Sequence, residues 1–83
     1  MPRQRAAASP IYREIGARLR GLRRQASKTL AAASQELGIS PQQLCKYERG
    51  NNRLPPDLTV RVACLYGVSC DFILRGGEGR DAA

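Results

Sequence analysis

No stretch of this chain constrains its fold more than Gly38-Ile39-Ser40-Pro41-Gln42-Gln43-Leu44-Cys45-Lys46-Tyr47-Glu48-Arg49-Gly50. Glycine takes the left-handed backbone conformation that ends a helix, serine can accept from the free amides at a helix start, and proline is preset for a first helical position. The segment therefore predicts one helix ending at Gly38, a tight turn, and a short second helix from Pro41 that Gly50 terminates. Ile39 is the apolar residue of the turn and is expected to pack between the two helices.

At about 100° per residue, Leu44, Tyr47 and Glu48 share one side of the short helix, while Pro41, Gln42, Cys45, Lys46 and Arg49 lie on the other. One face packs and the other is free to read. Amide side chains can bond adenine edges bidentately, and Lys or Arg can reach guanine or phosphate. The stretch reads as the turn and second helix of a helix-turn-helix.

Charge supports a polyanionic partner. Of the 83 residues, 14 are Lys or Arg against 7 Asp or Glu, a formal net charge of +7. Residues 1–28 hold Arg3, Arg5, Arg13, Arg18, Arg20, Arg23, Arg24 and Lys28 against Glu14 alone. Such a field favours nucleic acid, with a solvated basic face as the alternative. A chain of this length has room for one small helical core. No apolar run reaches membrane-spanning length and no apolar leader follows Met1, so the expected location is the cytoplasm. Cys45, Cys64 and Cys70 are odd in number and scattered, as in a reducing compartment, and with no histidine a metal site is not expected. No phosphate loop, acid/base constellation or cofactor motif is present, so the chain is expected to be no enzyme and to need no cofactor.

Taken in order, residues 1–9 form a basic arm without apolar periodicity. It reads as a tail, with an arm following DNA phosphates as the alternative. Ser9-Pro10 can start a helix whose apolar series Ile11, Ile15, Leu19, Leu22 and Ala26 runs to about Gln25. Thr29 caps an alanine-rich second helix through Leu37. After the polar loop Asn51-Asn52-Arg53-Leu54-Pro55, a fourth helix from about Pro56 carries Leu58, Val62, Leu65 and Tyr66, with Cys64 expected on its core side, and Gly67 closes it. Ser69 caps a fifth over Asp71 to Leu74. Residues 10–75 make the domain and residues 76–83 a flexible tail.

Four segments then resemble the Cro and phage-repressor family of helix-turn-helix proteins, the Xre type. They are Ile15-Gly16-Ala17-Arg18-Leu19-Arg20-Gly21-Leu22-Arg23-Arg24, Leu37-Gly38-Ile39-Ser40, Lys46-Tyr47-Glu48-Arg49-Gly50 and Gly67-Val68-Ser69-Cys70-Asp71-Phe72-Ile73-Leu74. The resemblance covers roughly residues 11–75. It implies an all-α, compact five-helix, lambda-repressor-like DNA-binding domain with the helix-turn-helix at helices 2 and 3. It places base contacts at Pro41, Gln42, Gln43 and Lys46, with Cys45 beside them; by its own position Cys45 reads as a small side chain in van der Waals contact with a base or with nothing, and a redox-sensing thiol is the alternative. It places backbone contacts at Thr29, Arg49, Asn51, Asn52 and Arg53, and a structural ion pair between Arg23 and Glu48. Ser27-Lys28-Thr29-Leu30-Ala31-Ala32-Ala33-Ser34 departs from the family pattern: Leu30 stands where a phosphate-contacting glutamine is usual, Ala33 replaces a core leucine, and Lys28 takes a normally apolar place.

The expected function is a sequence-specific regulator of transcription, a repressor binding a palindromic operator in double-stranded DNA as a homodimer, in a bacterial or phage-type cytoplasm at the nucleoid. A second reading is an antitoxin-type interaction protein that binds a partner toxin and autoregulates its own operon. Operator, regulated genes and dimer surface are not legible in the sequence.

Overall fold

The computed structural model describes residues 10–77, which form five helices: α1 (Pro10–Gln25), α2 (Leu30–Leu37), α3 (Pro41–Arg49), α4 (Pro56–Tyr66) and α5 (Cys70–Arg75). The expected arm and all but the first two residues of the expected tail lie outside this range. Three helices start on the same device. The Thr29 hydroxyl accepts from the Ala32 amide at 3.0 Å, Ser40 from Gln43 at 3.1 Å and Ser69 from Phe72 at 2.9 Å. Each satisfies one of the amides that a helix start leaves without an intrahelical acceptor. α4 begins on Pro55 without a side-chain cap, and the Thr59 hydroxyl donates to the Pro55 carbonyl instead.

Helix ends are equally local. Gly38, Gly50, Gly67 and Gly76 all take positive φ. At the end of α3 the Gly50 amide donates to Tyr47 and the Asn51 amide to Lys46, consuming two carbonyls that would otherwise be orphaned. α1 closes the same way without glycine. Ser27 sits at φ 58°, its amide donating to Arg24 while the Lys28 amide donates to Arg23. A side chain in this conformation costs roughly 1–2 kcal/mol, of which the extra unfolded-state freedom of a glycine would cancel only part. Ser27→Gly is therefore expected to stabilise the domain by about 0.5–1 kcal/mol, read as a higher denaturant midpoint at unchanged slope.

The core gathers Ile15, Leu19 and Leu22 of α1, Ala33 and Leu37 of α2, Leu44 of α3, Leu58, Val62 and Ala63 of α4 and Ile73 of α5. Ala33 is fully buried, so the alanine that replaces the family's leucine still occupies a core position. Ile39, Tyr47, Leu54, Val68 and Phe72 pack around this cluster. α1 and α3 make the most extensive helix–helix contact.

Three expectations are corrected. Ile11, in the first turn of α1, and Ala26, just past its end, are exposed although they continue the apolar series, because the buried stripe of the helix is confined to Ile15, Leu19 and Leu22. Cys64 is exposed as well: α4 buries Leu58, Thr59, Val62 and Ala63, and position 64 turns about 100° away from Ala63 onto the wet side. α5 is longer by one residue at each end than expected, since the Ser69 cap admits Cys70 and the chain stays helical up to Gly76.

Lys28, in its normally apolar place, has its charge met from two sides. It pairs with Glu36 and lies 5.8 Å from the centre of the Tyr66 ring. The stem then covers apolar surface while the ammonium stays partly in water.

Candidate nucleic-acid interface

The placement of α3 follows from two missing side chains. A Cβ on Gly16 would lie 2.4 Å from the carbonyl oxygens of Tyr47 and Glu48, and one on Gly50 would lie 2.6 Å from the Cα of Arg13. Both glycines sit where α1 crosses the C-terminal part of α3, so the two backbones meet in direct contact. The last turn of α3 is thereby docked against the middle and early turns of α1.

Charge locks the same junction. Arg23 Nε donates to Glu48 Oε2 at 2.8 Å and Nη2 to Oε1 at 3.1 Å, the two-pronged geometry that matches a guanidinium to a carboxylate. Arg23 Nη1 also donates to the Lys28 carbonyl at 2.9 Å. One guanidinium thus ties together α1, α3 and the turn into α2. The Arg23 and Glu48 side chains are only 13% and 6% exposed. The pKa of Arg23 is raised, first by its hydrogen bond to Glu48 and against the opposing effect of burial. A raised cation pKa contributes stability below the unfolded value and loses it only as pH climbs through the folded one. Both lie far into alkali for arginine, so no dependence on pH near neutrality comes from this group.

With α3 fixed in this way, its other side faces solvent. Pro41, Gln42, Gln43, Lys46 and Arg49 are exposed, whereas Leu44 is buried and Tyr47 and Glu48 are half-buried. Asn51, Asn52 and Arg53 continue as an exposed loop, and the Arg53 guanidinium lies 6.0 Å from the centre of the Tyr12 ring. Thr29 is exposed at the start of α2. Its oxygen is taken by the cap, which leaves its proton free for an outside acceptor. Cys45 departs from the outward position expected of it. It is half-buried and lines a shallow groove with Arg20, Arg23, Leu30, Glu48 and Arg49.

Most of the acids among the described residues are held by cations of their own, Glu14 of α1 being the exception. Glu48, Glu36, Asp57 and Asp71 each pair with a cation: Arg23, Lys28, Arg61 and Arg75. Among the described residues no carboxylate forms an ion pair with Arg20, Lys46 or Arg49. The arrangement offers amide and cationic donors on one rigid helix whose own carboxylate, Glu48, is taken by Arg23, suited to an anionic, hydrogen-bonding surface.

Sequence reasoning missed two arginines that finish other helices. Arg18 donates from Nε to the Ile73 carbonyl at 2.7 Å and from Nη2 to that of Leu74 at 3.0 Å, and Arg61 Nη1 donates to the Leu37 carbonyl at 2.9 Å. Each satisfies carbonyls at a helix C-terminus across the fold. Their partners are 55, 56 and 24 residues away, so no local pattern could have shown them. Gly16 did leave a signal, an isolated glycine inside a helical pattern, which commonly marks close packing.

Residues 14–71 match the family model described as a helix-turn-helix domain. The chain is 33% identical over 64 residues, 77% of its length, to the HTH-type transcriptional regulator ImmR of Bacillus subtilis. It is 36% identical over 52 residues to an uncharacterized HTH-type transcriptional regulator of Sinorhizobium fredii. It spans 50% of the first and 36% of the second. Among solved structures, the clp gene regulator ClgR from C. glutamicum superposes with a TM-score of 0.71 at 31% identity, covering 89% of this chain and 97% of that one. The DNA-binding domain of BldD superposes with a TM-score of 0.71 at 25% identity, covering 81% and 97%. The fold, the bracketing glycines around α3 and these matches converge: the chain belongs to the Xre-type helix-turn-helix family.

Proposed function

We propose that this chain is the sequence-specific DNA-binding unit of a transcriptional regulator, inserting α3 into the major groove of double-stranded DNA. The observation that carries this reading is the exposed row Gln42, Gln43, Lys46 and Arg49 on a helix whose opposite side is anchored by Leu44, Tyr47 and Glu48. A side chain reads a base edge only if its helix is held in a fixed orientation, and the Gly16 contact and the Arg23–Glu48 pair hold this one. Pro41, Gln42, Gln43 and Lys46 take the base edges, while Thr29, Arg49, Asn51, Asn52 and Arg53 follow the phosphates. The unit acts as a repressor on a palindromic operator. Two copies of the chain place their α3 helices one helical turn, about 34 Å, apart.

Selection of bound duplexes from a random pool tests the reading. The unsubstituted chain is expected to enrich a two-fold symmetric sequence. Gln42→Ala is expected to relax preference at particular positions, at about 1–3 kcal/mol of discrimination for a lost bidentate contact. Lys46→Ala is expected to change preference at a neighbouring position, whereas uniform weakening with a shallower salt dependence would make Lys46 a phosphate contact instead. A chain that binds every duplex alike at ordinary ionic strength would refute base readout. Enrichment of single, unpaired half-sites would refute the homodimer.

A further inference from the structure

The groove beside α3 has a feature that base reading does not use. It is lined by Arg20 of α1, Arg49 of α3, Leu30, the first residue of α2, and Cys45. Arg23 and Glu48 also line it, but both carboxylate oxygens of Glu48 are bonded to Arg23 and do not compensate Arg20 or Arg49. Two uncompensated guanidinium groups therefore border a recess whose remaining wall is small and apolar. An anion in this recess is attracted by both cations.

We infer that this groove is a seat for one DNA backbone phosphate, and that Arg20, on a helix outside the helix-turn-helix, is its second ligand alongside Arg49. The inference rests on the DNA-binding reading and adds to it a contact from α1. A guanidinium donates two parallel N–H bonds to the non-bridging oxygens of a phosphodiester. Arg49 approaches from the helix in the groove and Arg20 from the scaffold behind it, so the phosphate is gripped from both sides and α3 is fixed in depth. Leu30 does not compete for the anion, since its side chain has no hydrogen-bonding group.

The test measures affinity of the 83-residue chain for the duplex that it selects, across a series of salt concentrations, by fluorescence anisotropy. Each phosphate neutralised contributes a slope of about 0.9 in the logarithm of affinity against that of salt, which at 0.1 M salt is roughly an eightfold affinity. Arg20→Gln is expected to lose about that factor and about one unit of slope, equally for selected and random duplexes. Arg20→Lys is expected to keep the slope. Arg24→Gln, an exposed cation of the same helix outside the groove, is the control and is expected to change the slope much less. Equal losses for Arg20→Gln and Arg24→Gln would overturn the phosphate seat while leaving the DNA-binding reading intact. Failure of the unsubstituted chain to select any duplex would overturn that reading and the seat with it. Circular dichroism of each variant confirms that it is folded when measured.

Discussion

Gly16→Ala is expected to lower the stability of the domain by about 2–3 kcal/mol, although alanine is ordinarily the better helix former. The added Cβ would meet the carbonyl oxygens of Tyr47 and Glu48 at 2.4 Å, well inside contact distance. Neither oxygen can swing aside, because both belong to the backbone of α3. The two helices must separate, which opens the packing of Ile15 and Leu19 beside Leu44. For a domain of this size the loss corresponds to a fall in Tm of roughly 10–20 °C. Gly21 supplies the control within the same helix. A Cβ there meets nothing within 4 Å, so Gly21→Ala is expected to stabilise by about 0.5–1 kcal/mol through helix propensity and reduced unfolded-state entropy. Opposite signs from the same chemical change five residues apart would establish that backbone contact, not propensity, sets the requirement at position 16. A Gly16→Ala variant as stable as the unsubstituted chain would show that α1 and α3 do not meet so closely.

The second large effect is expected at Glu48. Glu48→Gln removes the negative charge and leaves the guanidinium of Arg23, itself only 13% exposed, facing an amide that can accept only one of its two prongs. Breaking a buried pair on one side typically costs about 3–5 kcal/mol, since the remaining charge is left uncompensated. Because the Arg23 side chain keeps some solvent access, the lower end, about 3 kcal/mol, is expected here. The loss should persist at 1 M salt, as solvent ions do not reach a covered pair well. Removing both charges with the pair Arg23→Met and Glu48→Leu is expected to restore most of it, because the desolvation of both ions disappears along with their attraction. The exposed pairs Asp57–Arg61 and Asp71–Arg75 should each be worth at most about 1 kcal/mol. Urea unfolding at low and high salt separates these cases. Full stability of Glu48→Gln would show that van der Waals packing alone positions α3.

The two substitutions bear on function through the same joint. Gly16 and Arg23 lie on α1 and not in the exposed row on α3, yet they determine the angle at which Gln42, Gln43 and Lys46 are presented. A protein carrying either change is expected to lose affinity for a selected duplex more than for a random one. Base edges demand correct orientation, while phosphates tolerate a looser approach.

Much of this architecture was legible in residue order, and the reason is the short range of the forces that end helices. Thr29, Ser40 and Ser69 each accept from an amide three residues on, and Gly38, Gly50, Gly67 and Gly76 each close a helix within one turn. Such bonds need nothing from elsewhere in the chain, so the boundaries of α1 to α4 could be read directly. The exposure of Gln42, Lys46 and Arg49 followed for a similar reason. Helical periodicity places them away from Leu44 and Tyr47 whatever the helix packs against.

What lies opposite each helical face is a different matter, and only the tertiary structure decided it. Arg18, Arg20 and Arg23 are near neighbours on one helix with identical side chains. One caps α5, one borders the groove beside α3, and one pairs with Glu48. Cys64 and Ile11, apolar by composition, face solvent because none of the described elements covers them. Periodicity gives a side chain its direction around a helix axis but not its neighbour. The neighbour is set by contacts 24 to 56 residues distant, whose free energy exists only once the helices have packed.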